Sequence, residues 1–213
     1  MPSSDLGFYD INDYLSSVTP ARDPILTEME DYGRKHNFPI VGPTAGSFLH
    51  QMVLLTNPKR IFEMGSGFGY SAYWMAKALN DPDAKIICTE GAPKNATCAM
   101  SYFERGGVAD KIDIKIGNAL EIIEETTGFF DIIYNDIDKH EYPTAFEKAA
   151  PRLRKGGLFI TDNLIWHGRV MDKDNEPSTI GVRELTRLLY ESDQFFTTII
   201  PLRDGLALSL IHI

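Results

Sequence analysis

From Arg60 onward, short apolar runs alternate with helix-length amphipathic stretches. Arg60 to Met64, Lys85 to Thr89, Ile112 to Ile116, Phe130 to Asn135 and Leu158 to Thr161 read as strands. Between them, Tyr70 to Leu79, Pro93 to Arg105, Ala119 to Glu125 and Tyr142 to Leu153 read as helices. The punctuation fits: Asp81-Pro82-Asp83 is a turn, Gly106-Gly107 ends a helix, and Lys155-Gly156-Gly157 turns the chain into the fifth strand. After the polar loop Asp172 to Pro177 come a helix from Val182 to Glu191 and two strands, Phe195 to Pro201 and Leu206 to Ile211, around the turn Arg203-Asp204-Gly205. Upstream, a helix runs from Asp23 to about Phe38, with Asp23 as N-cap and Pro24 as first helical residue. A second runs from Thr44 to Leu55 and breaks at Asn57-Pro58. The first 20 residues are mixed and turn-rich, fit to wrap the domain or meet a partner. The pattern predicts an α/β fold: a doubly wound, mostly parallel seven-stranded sheet with an antiparallel C-terminal edge. Right-handed crossovers then gather the strand-to-helix loops at one end.

Acidic residues collect at that end. Glu63, Glu90, Asp136 and Asp162 stand at or just past predicted strand ends, where open α/β sheets bind ligands. Asp136-Ile137-Asp138-Lys139 and Asp162-Asn163 would bring three oxygen-bearing side chains together, with a lysine alongside. That combination suggests a divalent-cation site with a nearby base. No thiolate is near and the histidines are unpaired, which argues against zinc. Gly65-Ser66-Gly67-Phe68-Gly69 is a glycine turn between a strand and a helix. Its GxGxG spacing is not the dinucleotide GxGxxG, and alone it could be a plain tight turn. Glu90, ending the next strand, can accept from both hydroxyls of a ribose, or it is a solvated loop acid.

Composition narrows the setting. The 213 residues predict one domain, 1–213, with an ordinary 43% hydrophobic and 24% charged content. A net charge of −9 disfavours a nucleic-acid partner without excluding a local basic patch. Cys88 and Cys98 fall in a predicted strand and a predicted helix and read as buried thiols of a reducing compartment. No leader pattern opens the chain, and no apolar run approaches the roughly 18–20 residues of a membrane span. The expected location is cytoplasmic.

Three ordered motifs carry a resemblance: Asp136-Ile137-Asp138-Lys139, the run Asp162-Asn163-Leu164-Ile165-Trp166-His167-Gly168-Arg169-Val170, and Asp204-Gly205-Leu206. On these the chain resembles the class I, cation-dependent S-adenosylmethionine O-methyltransferases, the branch of the caffeoyl-CoA and catechol enzymes. The resemblance covers about residues 40–213. It implies a Rossmann-like core at 58–213, preceded by N-terminal helices at about 10–57, and a homodimer. It implies Asp136, Asp162 and Asn163 as ligands of Mg²⁺, with Ca²⁺ or Mn²⁺ as alternatives. Lys139 would be the general base, provided its ordinary pKa of about 10.4 is lowered; otherwise it is an ion-pair partner or a clamp. For the methyl donor and its product S-adenosylhomocysteine, the resemblance implies Glu63 and Gly65 at the glycine turn. It gives Ser71 the methionine end, Glu90 the ribose and Ala119 the adenine. Asp138 meets the methionine amino group, Asp136 touches both cofactor and ion, and Val41 borders the site. Trp166 would wall the acceptor ring or pack as a core or lid residue.

The chain also departs from the family. Asn135 replaces an apolar residue and is expected to hydrogen-bond a neighbouring loop. His140-Glu141 replaces Asp-Asn of the plant enzymes, and no acyl-CoA-reading segment is recognisable. The implied function is metal-dependent methyl transfer to a hydroxyl of a small catechol-like or phenolic acceptor. The competing readings are an NAD-dependent oxidoreductase and a non-catalytic binding module of the same fold.

Overall fold

Alternation of side chains across the strands builds two apolar layers, one on each face of a single sheet. The computed structural model describes residues 8–212. Its strands are β1 (Arg60–Met64), β2 (Lys85–Glu90), β3 (Ile112–Ile116), β4 (Phe130–Asn135), β5 (Leu153–Thr161), β6 (Phe195–Ile200) and β7 (Leu206–Ile211). They lie in the order β3-β2-β1-β4-β5-β7-β6. The first five are parallel, and β7 runs antiparallel to both β5 and β6. This is the expected doubly wound sheet with its antiparallel edge.

Neighbouring residues of a strand face opposite sides. Ile61, Ile132 and Ile160 pack with α2 (Pro24–His36), α3 (Gly42–Thr56), α4 (Tyr70–Ala78) and α5 (Pro93–Arg105). Phe62, Ile133 and Phe159 pack on the other face with α6 (Ala119–Glu125), α7 (Tyr142–Ala149) and α8 (Pro177–Glu191). Strand order runs outward from β1 in one direction and from β4 in the other, so the connections diverge between them. A crevice opens at their carboxyl ends for that reason.

Several boundaries follow from single residues. Asp23 Oδ1 accepts from Leu26 N–H at 2.9 Å, with Pro24 opening the helix as expected. Asn37 and Asn57, both left-handed, stop α2 and α3.

Other expectations need correction. The helix expected to reach Leu153 ends at Ala149, passes through a 3₁₀ turn (Ala150–Arg152), and β5 begins at Leu153 rather than Leu158. Pro151 has no N–H to continue the helix, and Leu153 is buried opposite Phe130, with a register shift before Ile132. Helix α8 starts at Pro177, not Val182, because proline is suited to the first turn. The stretch read as turn-rich holds α1 (Phe8–Val18). Ile11, Tyr14, Leu15 and Val18 recur there at helical spacing. Cys88 is buried, but Cys98 is only half-buried; neither forms a disulfide.

Helix α8 lies against the 3₁₀ turn Lys139–Glu141 at Gly181. A Cβ built there would stand 2.1 Å from the Lys139 carbonyl oxygen. Gly181→Ala is therefore expected to cost about 1–3 kcal/mol by overpacking. The measurement is the urea midpoint at unchanged slope. Ile180→Ala, at a half-exposed neighbour, should stay within about 0.5 kcal/mol of the parent.

Candidate active site

Backbone ladders continue past the strand ends and set the floor of the site. Asp136 N–H donates to Met64 O at 2.9 Å, and Asp162 N–H donates to Asn135 O at 3.2 Å. Asn135 and Thr161 are paired in register, so Asp136 and Asp162 each follow directly on neighbouring parallel strands. Tyr142 Oη adds a hydrogen bond to Asp162 O at 2.9 Å.

The glycine turn is bound into the same floor. Ser66 N–H donates to Thr89 O at 2.9 Å, and Gly65 N–H to Thr89 Oγ1 at 3.1 Å. Gly65 has φ +82°, and a Cβ there would lie 2.7 Å from Asp136 O. Only glycine allows the turn after β1 to touch the loop after β4 this closely.

Asp162 is buried, and its carboxyl is held well above the usual carboxylate range, first by burial and then by the Asp136 charge; Arg203 opposes the shift. Burial also raises Asp136, against the pull of Lys139. Lys139 Nζ donates to Asp136 Oδ1 at 2.8 Å and to Ile137 O at 3.3 Å. The ammonium lies 5.5 Å from the Tyr142 ring centroid and 6.0 Å from that of Trp166. Asn163, at φ +62°, turns its amide Nδ2 to Asp204 Oδ2 at 3.2 Å. Among the described residues, no group of three or more His, Cys, Asp or Glu side chains is arranged for a metal ion. Asp136, Asp162 and Asn163 are a different donor set, two carboxylates and an amide. Their chemistry suits a hard divalent cation, which would offset the closely spaced negative charge.

At the β2 end, Glu90 Oε1 accepts from Ala92 N–H at 2.8 Å and Asn95 Nδ2 at 3.1 Å, which fixes its carboxylate. Asn118 Oδ1 caps α6 through Leu120 N–H at 2.7 Å. Glu63 lies beneath the turn: the Ser71 hydroxyl donates to its Oε1, and Oε2 has no hydrogen-bond partner among the described residues. Burial raises this carboxyl to about 6.

The crevice has a volume of about 770 Å³. Val41, Gly65, Ser71, Glu90, Ala119, Asp136, Asp138, Lys139, Asp162 and Asn163 all line it, and Glu63 does not. Trp166 and His167 also line it, and His140 does not. Asn135 does not reach a neighbouring loop as expected. It is fully buried beside Thr161, and its amide atoms have no hydrogen-bond partner among the described residues.

The sequence reading missed Arg203 and gave Asp204 no role. Arg203 Nη1 donates to Ile40 O at 2.8 Å, and both residues line the crevice. The Asp204-Gly205-Leu206 motif was the available signal.

The family model described as O-methyltransferase matches residues 16–211. The chain belongs to the O-methyltransferase family. A catechol O-methyltransferase of Niastella koreensis is 32% identical to it over 96% of this chain and 97% of its own length. Caffeoyl-CoA O-methyltransferase 1 of Eucalyptus globulus is 31% identical over 91% of this chain and 84% of its own length. The crystal structure of the Bacillus cereus O-methyltransferase in complex with SAH (S-adenosylhomocysteine) superposes with a TM-score of 0.86 at 29% identity. That match covers 94% of this chain and 96% of the other. The chain is thus an S-adenosylmethionine-dependent O-methyltransferase. No described helix is long and apolar enough to cross a membrane.

Glu63 offers a test of how this O-methyltransferase tolerates a buried carboxyl. Its folded value, about 6, lies above the ordinary 4.5. The native state therefore holds this proton more tightly than the unfolded chain. That stabilisation is complete below pH 4.5 and is lost as pH rises through 6. Glu63→Gln keeps the shape without the charge. Its stability relative to the parent should rise across that window, by about 2 kcal/mol at neutral pH. Thermal unfolding of the ligand-free protein on both sides of the window reads this, and an offset independent of pH would contradict it.

Proposed function

We propose that this site is a divalent-cation-dependent O-methyltransferase centre for a small phenolic acceptor with two adjacent oxygens. The observation that carries the reading is the succession of Asp136, Asp162 and Asn163 past paired ends of β4 and β5, against the Gly65 turn. When bound, the cation would acidify one acceptor hydroxyl and the sulfonium of S-adenosylmethionine would supply the methyl group.

The chain's own residues do the positioning. Asp136, Asp162 and Asn163 would hold the cation through oxygen. Glu90, oriented by Ala92 and Asn95, accepts from ribose hydroxyls. Ala119 borders the adenine, and Val41, buried at the start of α3, closes the near side. Gly65 and Ser71 face the methionine end, with Glu63 supporting Ser71 from below. Asp138, exposed at the crevice, receives the amino group.

Lys139 acts at Nζ. While it is paired with Asp136 the ammonium only donates, so it holds the acceptor oxygen and does not remove a phenol proton. Released from that pair and neutral, it can take the proton. Trp166 forms a fixed wall: its Nε1 donates to Thr179 Oγ1 at 3.1 Å, and the Arg169 guanidinium lies 5.7 Å from its ring centroid. Most of the rate gain comes from holding donor and acceptor together in a site that excludes water.

Four measurements test this. Methyl transfer to a panel of catechols should fall at least about 100-fold in excess EDTA and return with Mg²⁺ or Mn²⁺. Unchanged transfer in EDTA would end the cation reading. Glu90→Ala should weaken S-adenosylhomocysteine binding about 10–100-fold, the size of a lost charge-assisted pair. Asp162→Asn should instead abolish cation-stimulated transfer, with S-adenosylhomocysteine affinity within about threefold of the parent. In a fluorescence titration, S-adenosylhomocysteine should bind and NADH should not; tight NADH binding would favour an oxidoreductase.

A further inference from the structure

We infer that Asp204 is a positioning residue that selects which end of the Asn163 amide faces the crevice. The inference rests on the cation reading above. Asp204 lies in the turn between β6 and β7, distant in sequence from the residues it serves and only 7% exposed. Its Oδ2 stands 3.2 Å from Asn163 Nδ2, and its Oδ1 accepts from His167 N–H at 2.6 Å. The same turn accepts two further backbone bonds from the loop: Ile165 N–H to Asp204 O at 2.8 Å and Leu164 N–H to Gly205 O at 2.9 Å.

The selection follows from donor and acceptor chemistry. An ionised carboxylate only accepts, whereas an amide has one end that donates and one that accepts. Only the NH₂ end of Asn163 can lie against Asp204, so the carbonyl oxygen is left free for the crevice. A hard cation takes that oxygen and gains nothing from the nitrogen. The loop also needs holding. Asn163, Trp166 and His167 all have left-handed backbones, at φ +62°, +49° and +53°. Non-glycine residues adopt that region at a cost.

Holding the loop and orienting the amide are separable. Asp204→Asn retains an acceptor for His167 N–H but can offer Asn163 either a donor or an acceptor. Asn163→Asp reverses the requirement, because two carboxylates then face each other and an amide at position 204 supplies the missing donor. The effect of Asp204→Asn on cation affinity should therefore change sign between the two backgrounds.

The experiment titrates Mn²⁺ into the 213-residue chain and follows free Mn²⁺ by electron paramagnetic resonance. S-adenosylhomocysteine binding and thermal unfolding serve as controls for the fold. In the parent, Asp204→Asn should weaken Mn²⁺ about 10–100-fold, as for other residues that orient ligands. In the Asn163→Asp background it should strengthen Mn²⁺ about 3–10-fold relative to that single variant. Asp204→Glu, still an acceptor only, should stay closer to the parent than Asp204→Asn, and this comparison decides if the double variant does not fold. Equal weakening in both backgrounds would make Asp204 a loop pin only and overturn the inference. So would unchanged affinity in Asp204→Asn. If the parent itself binds S-adenosylhomocysteine but no Mn²⁺, the cation reading fails first and takes the inference with it.

Discussion

Asp136 N–H bonds to Met64 O, and Asp162 N–H to Asn135 O, so the parallel ladder does not stop where the strands do. Everything in the crevice is placed relative to those two bonds. They bring consecutive loops down onto a common floor, and Ser66 N–H to Thr89 O and Gly117 N–H to Glu90 O extend that floor toward β2 and Glu90. Loops are usually the mobile part of a fold. Here the first residue of each is still part of the sheet, and its side chain inherits the rigidity of the strand.

That rigidity is bought against a considerable electrostatic penalty. Glu63, Asp136 and Asp162 are gathered at one end of a low-dielectric sheet, and burial raises the carboxyl of each. Lys139 and Arg203 offset part of the charge. Beneath them Asn135 and Thr161 are buried with polar atoms that have no partner among the described residues. Two apolar layers supply the compensation, and the site lies between them rather than in either. A fold held by the carboxylates themselves would not tolerate this arrangement; one held by Phe62, Ile133, Phe159 and their partners does.

Much of this was legible in the sequence, and the reason is local. A strand followed by a glycine or an acidic residue is a feature of adjacent positions. The ends of β1, β2 and β4, and with them Glu63, Glu90 and Asp136, could be read from short windows. The failures have a different origin. The start of β5 depends on Leu153 meeting Phe130 across the sheet, and Gly156-Gly157 reads locally as a turn rather than as a bend within a strand. The polar content of the first helix masks its apolar repeat. Asp204 acts on Asn163 across a long stretch of intervening chain, so the motif could be recognised while its partner could not. Asn135 stood out as a departure, but its burial against Thr161 is a matter of strand register.

The contact between Gly65 and the Asp136 carbonyl has a consequence for how such a protein can diversify. No side chain fits between the two loops, so the glycine turn after β1 and the Asp136 loop after β4 cannot drift apart by small steps. Their separation is a constant of the scaffold. Novelty in the acceptor has to enter from elsewhere on the crevice wall, through Trp166 and His167 or through the approach formed by Phe38 and Ile40. A lineage built on this sheet would therefore explore new molecules while repeating one reaction geometry.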